Sequence, residues 1–190
     1  MSVAGLPCLG DDPMPDGPLK LVVVGPEKIM VTQVLLSLRN WTRAQCTAIC
    51  STGSRYLRHS PLVDGYAEIR FDGRDDERFV DYVNSLEKRC PGQIVLPADT
   101  VGNRLLNRVR PRLSAGCPPL PDDALLDLLD AKWEFHRLCT RLGLPTPPTL
   151  YAATKHDIDF DEAAAILGLP FFLKPVREAQ SHGACEIGSA

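Results

Sequence analysis

The sequence predicts an α/β fold: a parallel, doubly wound sheet followed by a smaller α+β region. Three observations carry this expectation. From Leu19 onward, short apolar runs alternate with segments of helical periodicity, the pattern of a parallel sheet covered by helices. The first run, Leu21-Val22-Val23-Val24, is apolar at every position, as a strand buried on both faces requires. Cys117-Pro118-Pro119-Leu120-Pro121 then places three prolines together; they cannot continue a helix and mark a boundary.

The elements follow in order. Gly25-Pro26 ends the first strand, and the next helix sets Val31, Val34, Leu35 and Leu38 on one face. Residues 44–50 read as a second strand, with Cys46 and Cys50 on the same side of it. Residues 54–60 are polar and suit a short helix or turn, and 66–71 read as a third strand. Asp75, Asp76 and Glu77 then open a helix that Lys88 and Arg89 close, both matching its dipole. Its buried stripe is expected to be Phe79, Tyr82, Val83 and Leu86. Residues 94–96 form a fourth strand ended by Pro97, and Asp99 or Thr100 caps the helix that runs to Val109. Beyond the prolines, Asp122 or Asp123 caps a helix to Leu129. Residues 132–142 form another, with Phe135, Leu138, Cys139 and Leu142 inward; 149–151 are expected as strand, 160–167 as helix and 169–174 as strand.

Composition excludes several classes of function. Of the 190 residues, 44% are hydrophobic and 24% charged, as in a globular protein with a core. A net charge of -3 leaves nucleic-acid binding to a local patch. The candidate patch, Arg104, Arg108, Arg110 and Arg112, has no interleaved aromatics and reads as solvated, so no nucleic-acid partner is expected. The seven cysteines are odd in number and lack a C-x-x-C pair. They favour reduced thiols in the cytoplasm over disulfides or zinc. Residues 1–18, with Pro7, Pro13, Pro15 and Pro18, read as a flexible tail and not a signal peptide. No run approaches the roughly 18 apolar residues of a membrane span, so no membrane partner is expected.

The first strand–turn–helix unit lacks G-x-G-x-x-G, since Pro26, Glu27 and Lys28 follow Gly25. Without the later glycines the backbone cannot approach a pyrophosphate, and Glu27 would repel one. The unit therefore reads as a structural Rossmann-like layer. Lys174, at the end of Phe171-Phe172-Leu173, shares a strand face with Phe172 and can neutralise phosphate oxygens. Lys132 begins a helix beside Phe135, His136 and Cys139. Ser181-His182-Gly183 offers backbone N–H groups and a hydroxyl in a loop where glycine permits unusual dihedrals. His59, His136 and His156 have no metal-ligand spacing.

Asp130-Ala131-Lys132, Leu142-Gly143-Leu144-Pro145-Thr146-Pro147 and Leu169-Pro170-Phe171-Phe172-Leu173-Lys174-Pro175 occur in this order. With these motifs the chain resembles the N-terminal portion of ATP-grasp enzymes such as biotin carboxylase, the carbamoyl-phosphate synthase large subunit and D-alanine–D-alanine ligase. The resemblance implies a tail over 1–18, a Rossmann-like pre-ATP-grasp domain over 19–117, a linker over 118–123 and a partial ATP-grasp subdomain over 124–190. It implies ATP as cofactor, with Lys132 and Lys174 on its phosphates and the loop of Ser181, His182 and Gly183 closing over them. It further implies Mg²⁺, a small-molecule carboxylate substrate activated as an acyl phosphate, and attack by an amine or thiol. Ser54, Arg55 and Arg58 are candidate substrate contacts, since an arginine can clamp a carboxylate.

The chain departs from that pattern in two respects. The loop is poor in glycine, and the adenine-linker residues and acidic Mg²⁺ ligands of the second half are not in this sequence. Neither Glu178 nor Glu186 can be assigned the metal role from the sequence, and no catalytic residue is assigned. A non-catalytic binding module descended from such enzymes is the alternative. Weak nucleotide binding by this chain alone, or none, is expected, because half a cleft covers little of its ligand. An open strand edge near Gly183 and uncovered apolar surface after Pro121 point to partial disorder or self-association, including a homo-oligomer.

Overall fold

The structure, a computed structural model, describes residues 18–41, 43–177 and 183–188. Apart from Pro18, the expected tail lies outside the described residues. The chain divides into two compact units, Met1–Leu120 and Pro121–Ala190.

The first unit runs β1 (Lys20–Gly25), α1 (Lys28–Trp41), β2 (Gln45–Cys50), a 3-10 helix (Thr52–His59), β3 (Gly65–Glu68), α2 (Asp76–Arg89), β4 (Gln93–Pro97) and α3 (Thr100–Val109). Its four strands lie in the order β3-β2-β1-β4, and every pairing is parallel. Side chains alternate across β1. Val22 and Val24 pack with Phe79, Val83, Leu105 and Leu106 from α2 and α3, while Leu21 and Val23 pack with Val31 and Leu35 of α1. Both faces are thus covered, which explains the unbroken apolar run. Cys46 and Cys50 are wholly buried, and burial pushes the Cys50 thiol up to about 12, so it behaves as an inert core group.

Three expectations for this unit are corrected. β3 ends at Glu68, because the Arg70 N–H donates to Asp75 at 2.8 Å and its guanidinium pairs with the same carboxylate at 3.0 Å. That clasp turns the chain into α2 before residue 71. On α2 the buried stripe is Phe79, Val80 and Val83, with Tyr82 and Leu86 only partly covered. The arginines after β4 are not all simply solvated. Arg108 pairs with Asp76 at 3.0 Å and Arg112 with Glu77, joining the end of α3 to the start of α2.

Asp99 organises the C-terminal edge of the sheet. Its carboxylate accepts from the Gly102 N–H at 2.7 Å, capping α3, and from the Glu27 N–H at 2.9 Å, bracing the β1–α1 turn. The turn amide that a dinucleotide site would offer a phosphate is therefore already engaged. Replacing Asp99 with alanine strands both donors, and we expect a loss of about 2–3 kcal/mol. Burial, outweighing these N–H bonds, holds the Asp99 carboxyl above its ordinary value. A raised folded-state value means that the group's stabilisation is full below the unfolded-state value and is lost as pH rises through the folded one. The thermal-midpoint gap between parent and D99A should accordingly widen as pH falls. Glu68 and Asp75 act oppositely: their bonds to Arg55 and Arg70 hold them below the ordinary range.

The second unit contains α4 (Asp123–Asp130), α5 (Lys132–Arg141), α6 (Phe160–Leu167) and an antiparallel pair, β5 (Phe171–Leu173) with β6 (Cys185–Ile187). Asp122 caps α4 by accepting from the Leu125 N–H at 2.7 Å. Residues 149–151 are not a strand. Pro145, Pro147 and Pro148 just before them supply no N–H to start a ladder. On α5 only Cys139 is buried, while Phe135 and Leu142 of the expected stripe are 44% and 62% exposed. Phe135 lines an open cleft, and Leu142 sits at the helix's C-cap. No helix among the described residues is long and apolar enough to cross a membrane.

Candidate functional site

The cleft lies within the second unit and encloses about 1110 Å³. Lys132 opens α5, and its backbone N–H donates to the Val176 carbonyl at 3.0 Å. That bond fastens the helix start two residues beyond Lys174, which follows β5. Both lysines line the cleft. The Lys174 ammonium sits 5.9 Å from the centroid of the exposed Phe172 ring, a cation–π distance that orients it without neutralising it.

Gly183 lines the cleft as well. Its φ of +68° is in the left-handed region, and a Cβ there would come within 2.8 Å of the Pro175 ring. Glycine is therefore required both for the turn and for close packing beside Lys174. Ser181 and His182 lie outside the described residues, as do Gln180 and Glu178.

Aromatic side chains that the sequence reading left unassigned build another wall. Trp133 stacks on His136 at 5.5 Å and on Tyr151 at 5.3 Å between ring centroids, and all three line the cleft. The only signal for this in the sequence is the i,i+3 spacing of Trp133 and His136. Three carboxylates also line it: Asp157, Asp159 and Glu162. Asp157 accepts from the Thr154 N–H at 2.8 Å and Asp159 from the Glu162 N–H at 2.9 Å, so two of the three are engaged with backbone. Among the described residues no group of three His, Cys, Asp or Glu side chains could hold a metal ion.

The candidate substrate residues lie in the first unit. Ser54 is wholly buried and its hydroxyl has no hydrogen-bond partner among the described residues; it presents nothing to a ligand in solution. Arg55 and Arg58 are exposed and line a separate cavity of about 500 Å³ with Tyr66, Glu68 and Arg78. Arg55 donates to Glu68 through two bonds of 3.0 and 2.9 Å.

No protein-family model matches the chain. D-alanine–D-alanine ligase of Azoarcus sp. (strain BH72) is 46% identical over 59 residues, which are 31% of this chain and 19% of the ligase. The ligase of Aromatoleum aromaticum is 42% identical over 59 residues, 31% of this chain and 18% of that enzyme. Among solved structures, carboxyaminoimidazole ribonucleotide synthase from Aspergillus clavatus, complexed with ATP, superposes with a TM-score of 0.54 at 19% identity. The match covers 90% of this chain and 42% of the synthase. L-amino acid ligase from Bacillus licheniformis gives a TM-score of 0.53 at 15% identity over 90% of this chain and 39% of its own. The biotin carboxylase domain of Hydrogenobacter thermophilus 2-oxoglutarate carboxylase, solved with MgADP and bicarbonate, gives 0.51 at 20% identity over 90% and 37%.

The chain has the fold of the N-terminal portion of ATP-grasp enzymes. Its four-stranded parallel sheet with helices matches the N-terminal, pre-ATP-grasp part of those enzymes. Sequence and fold together relate it to ATP-grasp ligases. It spans less than a fifth of the D-alanine–D-alanine ligases, at 19% and 18% of their lengths.

Proposed function

We propose that this chain forms the N-terminal part of an ATP-dependent carboxylate ligase whose ATP phosphates are held by Lys132 and Lys174. The observation that supports the reading is that the two lysines, 42 positions apart in sequence, line one cleft whose walls the Lys132–Val176 bond ties together. Two cations beside a left-handed glycine turn form a receptive surface for a polyphosphate. A cleft of about 1110 Å³ also has room for a nucleotide.

In the reaction so proposed, a carboxylate oxygen attacks the γ-phosphorus and ADP leaves. An amine or thiol then attacks the acyl carbon and releases phosphate. Lys132 and Lys174 offset the charge on the phosphoryl oxygens, and Ser181, His182 and Gly183 are assigned to the loop that closes over them, as the resemblance implies. Mg²⁺ would add to this neutralisation, with its protein ligands expected in the second half of the grasp fold. The pre-ATP-grasp domain is assigned to 19–117, the linker to 118–123 and the partial grasp subdomain to 124–190. Of the substrate candidates, Arg58 is exposed and keeps a place as a carboxylate contact, Arg55 takes that place only when Glu68 releases it, and Ser54 is enclosed. Free thiols throughout the described residues suit the cytoplasm.

Titration with ATP, AMP and adenosine, each with and without Mg²⁺, tests this. We expect ATP to bind near about 1 mM and at least tenfold more tightly than AMP, a difference of about 1.4 kcal/mol from the added phosphates. Equal affinity for ATP and AMP would remove the lysines from nucleotide binding and favour a non-catalytic module.

A further inference from the structure

The smaller cavity, in the first unit, has a composition that the nucleotide reading does not use. Its apolar floor is Ile49, Ile69 and Phe79, drawn from the core between β2, β3 and α2. Its charged wall is Arg55, Arg58, Arg78 and Glu68. Glu68 is committed to Arg55, which it binds through both carboxylate oxygens. Arg58 and Arg78 make no hydrogen bond or ion pair among the described residues, and both are exposed. Three guanidinium groups against one carboxylate leave the wall two positive charges in excess.

Unpaired cations over a low-dielectric floor focus field into the hollow, unlike cations on a convex surface. Two planar forks on separate elements, the 3-10 helix for Arg58 and α2 for Arg78, can grip one oxyanion from two directions. At about 500 Å³ the hollow is the size of a small-molecule site and well below that of the lysine cleft. Arg55 and Arg58 stand out in the sequence, but their opposite numbers Glu68 and Arg78 come from elements further along the chain.

We propose that this cavity is a second ligand site, which binds an organic oxyanion: a phosphate monoester or a carboxylate carried on an apolar, ring-sized body. The oxyanion lies between Arg58 and Arg78, and the body rests on Ile69 and Phe79. Glu68 withholds Arg55 from the anion and sets the strength of the site. The site shares Arg58 with the proposed carboxylate contacts but is lined only by residues of the first unit, so its binding is read separately from that of nucleotide at the two lysines.

The test is a backbone NMR titration of the full chain with phenyl phosphate, benzoate, inorganic phosphate and phenol. Phenyl phosphate or benzoate should shift amides of β3 and the first turns of α2, and should bind at least tenfold more tightly than phosphate or phenol. Which of the two binds better distinguishes the phosphate source from the carboxylate source. The R58Q/R78Q double variant, changed only at exposed positions, should weaken that binding at least tenfold. E68Q should tighten it severalfold by releasing Arg55, and K132A/K174A should leave it unchanged. Unaltered binding in R58Q/R78Q, weaker binding in E68Q, or no saturable shift up to about 20 mM ligand would each overturn the proposal.

Discussion

The K132A/K174A double variant is expected to lose the thermal protection that Mg·ATP gives the parent chain. At ten times the parent's dissociation constant, ligand linkage stabilises the folded state by about 1.4 kcal/mol, a rise of several degrees in the midpoint. A charge-assisted contact contributes about 1.5 kcal/mol or more. Loss of both lysines therefore weakens binding by about 3 kcal/mol, roughly a hundredfold, and almost nothing of the rise remains. Lys174 is exposed, and the bond from Lys132 to Val176 uses its backbone N–H, which alanine keeps. Lys20→Ala is the control, because that ammonium donates to the Pro91 carbonyl at 2.8 Å in the first unit and should not alter the ATP shift. The parent's shift should also shrink with added salt, since an exposed cleft is screened. A double variant that keeps the full shift would take both lysines out of the site.

What the sequence made legible follows from how local the physics is. The β1 run is readable because burial on both faces demands apolar residues at every position, whatever surrounds them. Asp99 and Asp122 are readable as caps because the N–H groups they accept lie three residues on. β3 was drawn too long because its end depends on Arg70 closing onto Asp75, a choice between extended pairing and a side-chain clasp that alternation does not encode. The stripe on α5 failed for a different reason. An apolar residue such as Phe135 reads the same whether a core or a cleft lies against it. The two lysines stand in motifs whose order is legible along the chain, whereas the stack of Trp133 on Tyr151 joins a helix to an irregular segment and leaves no periodic trace. Arg78 likewise sits among the charged residues of α2 as any solvated arginine would, and only the fold brings it to Arg58.

Gly102→Ala is the substitution within the first unit expected to do the most damage for its size. In an ordinary helix this change stabilises by up to about 1 kcal/mol, so the sign itself is diagnostic. Here a Cβ would come to 2.4 Å from the Val24 carbonyl oxygen and 3.2 Å from its carbon. The obstacle is backbone, at the wholly buried Val24 of β1, a strand held between β2 and β4. It cannot swing aside, because that carbonyl accepts from the Ala98 N–H at 2.8 Å. The helix must yield instead. Moving α3 off the sheet pulls Leu105, Leu106 and Val109 from their contacts with β1 and α2 and lengthens the Gly102 bond to Asp99. We expect a net loss of about 2–3 kcal/mol, seen as a fall of roughly 5–15 °C in the thermal midpoint. Gly53→Ala provides the comparison, since its Cβ would meet nothing closer than the Ser51 hydroxyl at 3.7 Å and should change stability by less than about 0.5 kcal/mol. Should G102A prove neutral or stabilising, α3 does not approach β1 this closely, and Asp99 cannot reach both the Gly102 and Glu27 amides at once.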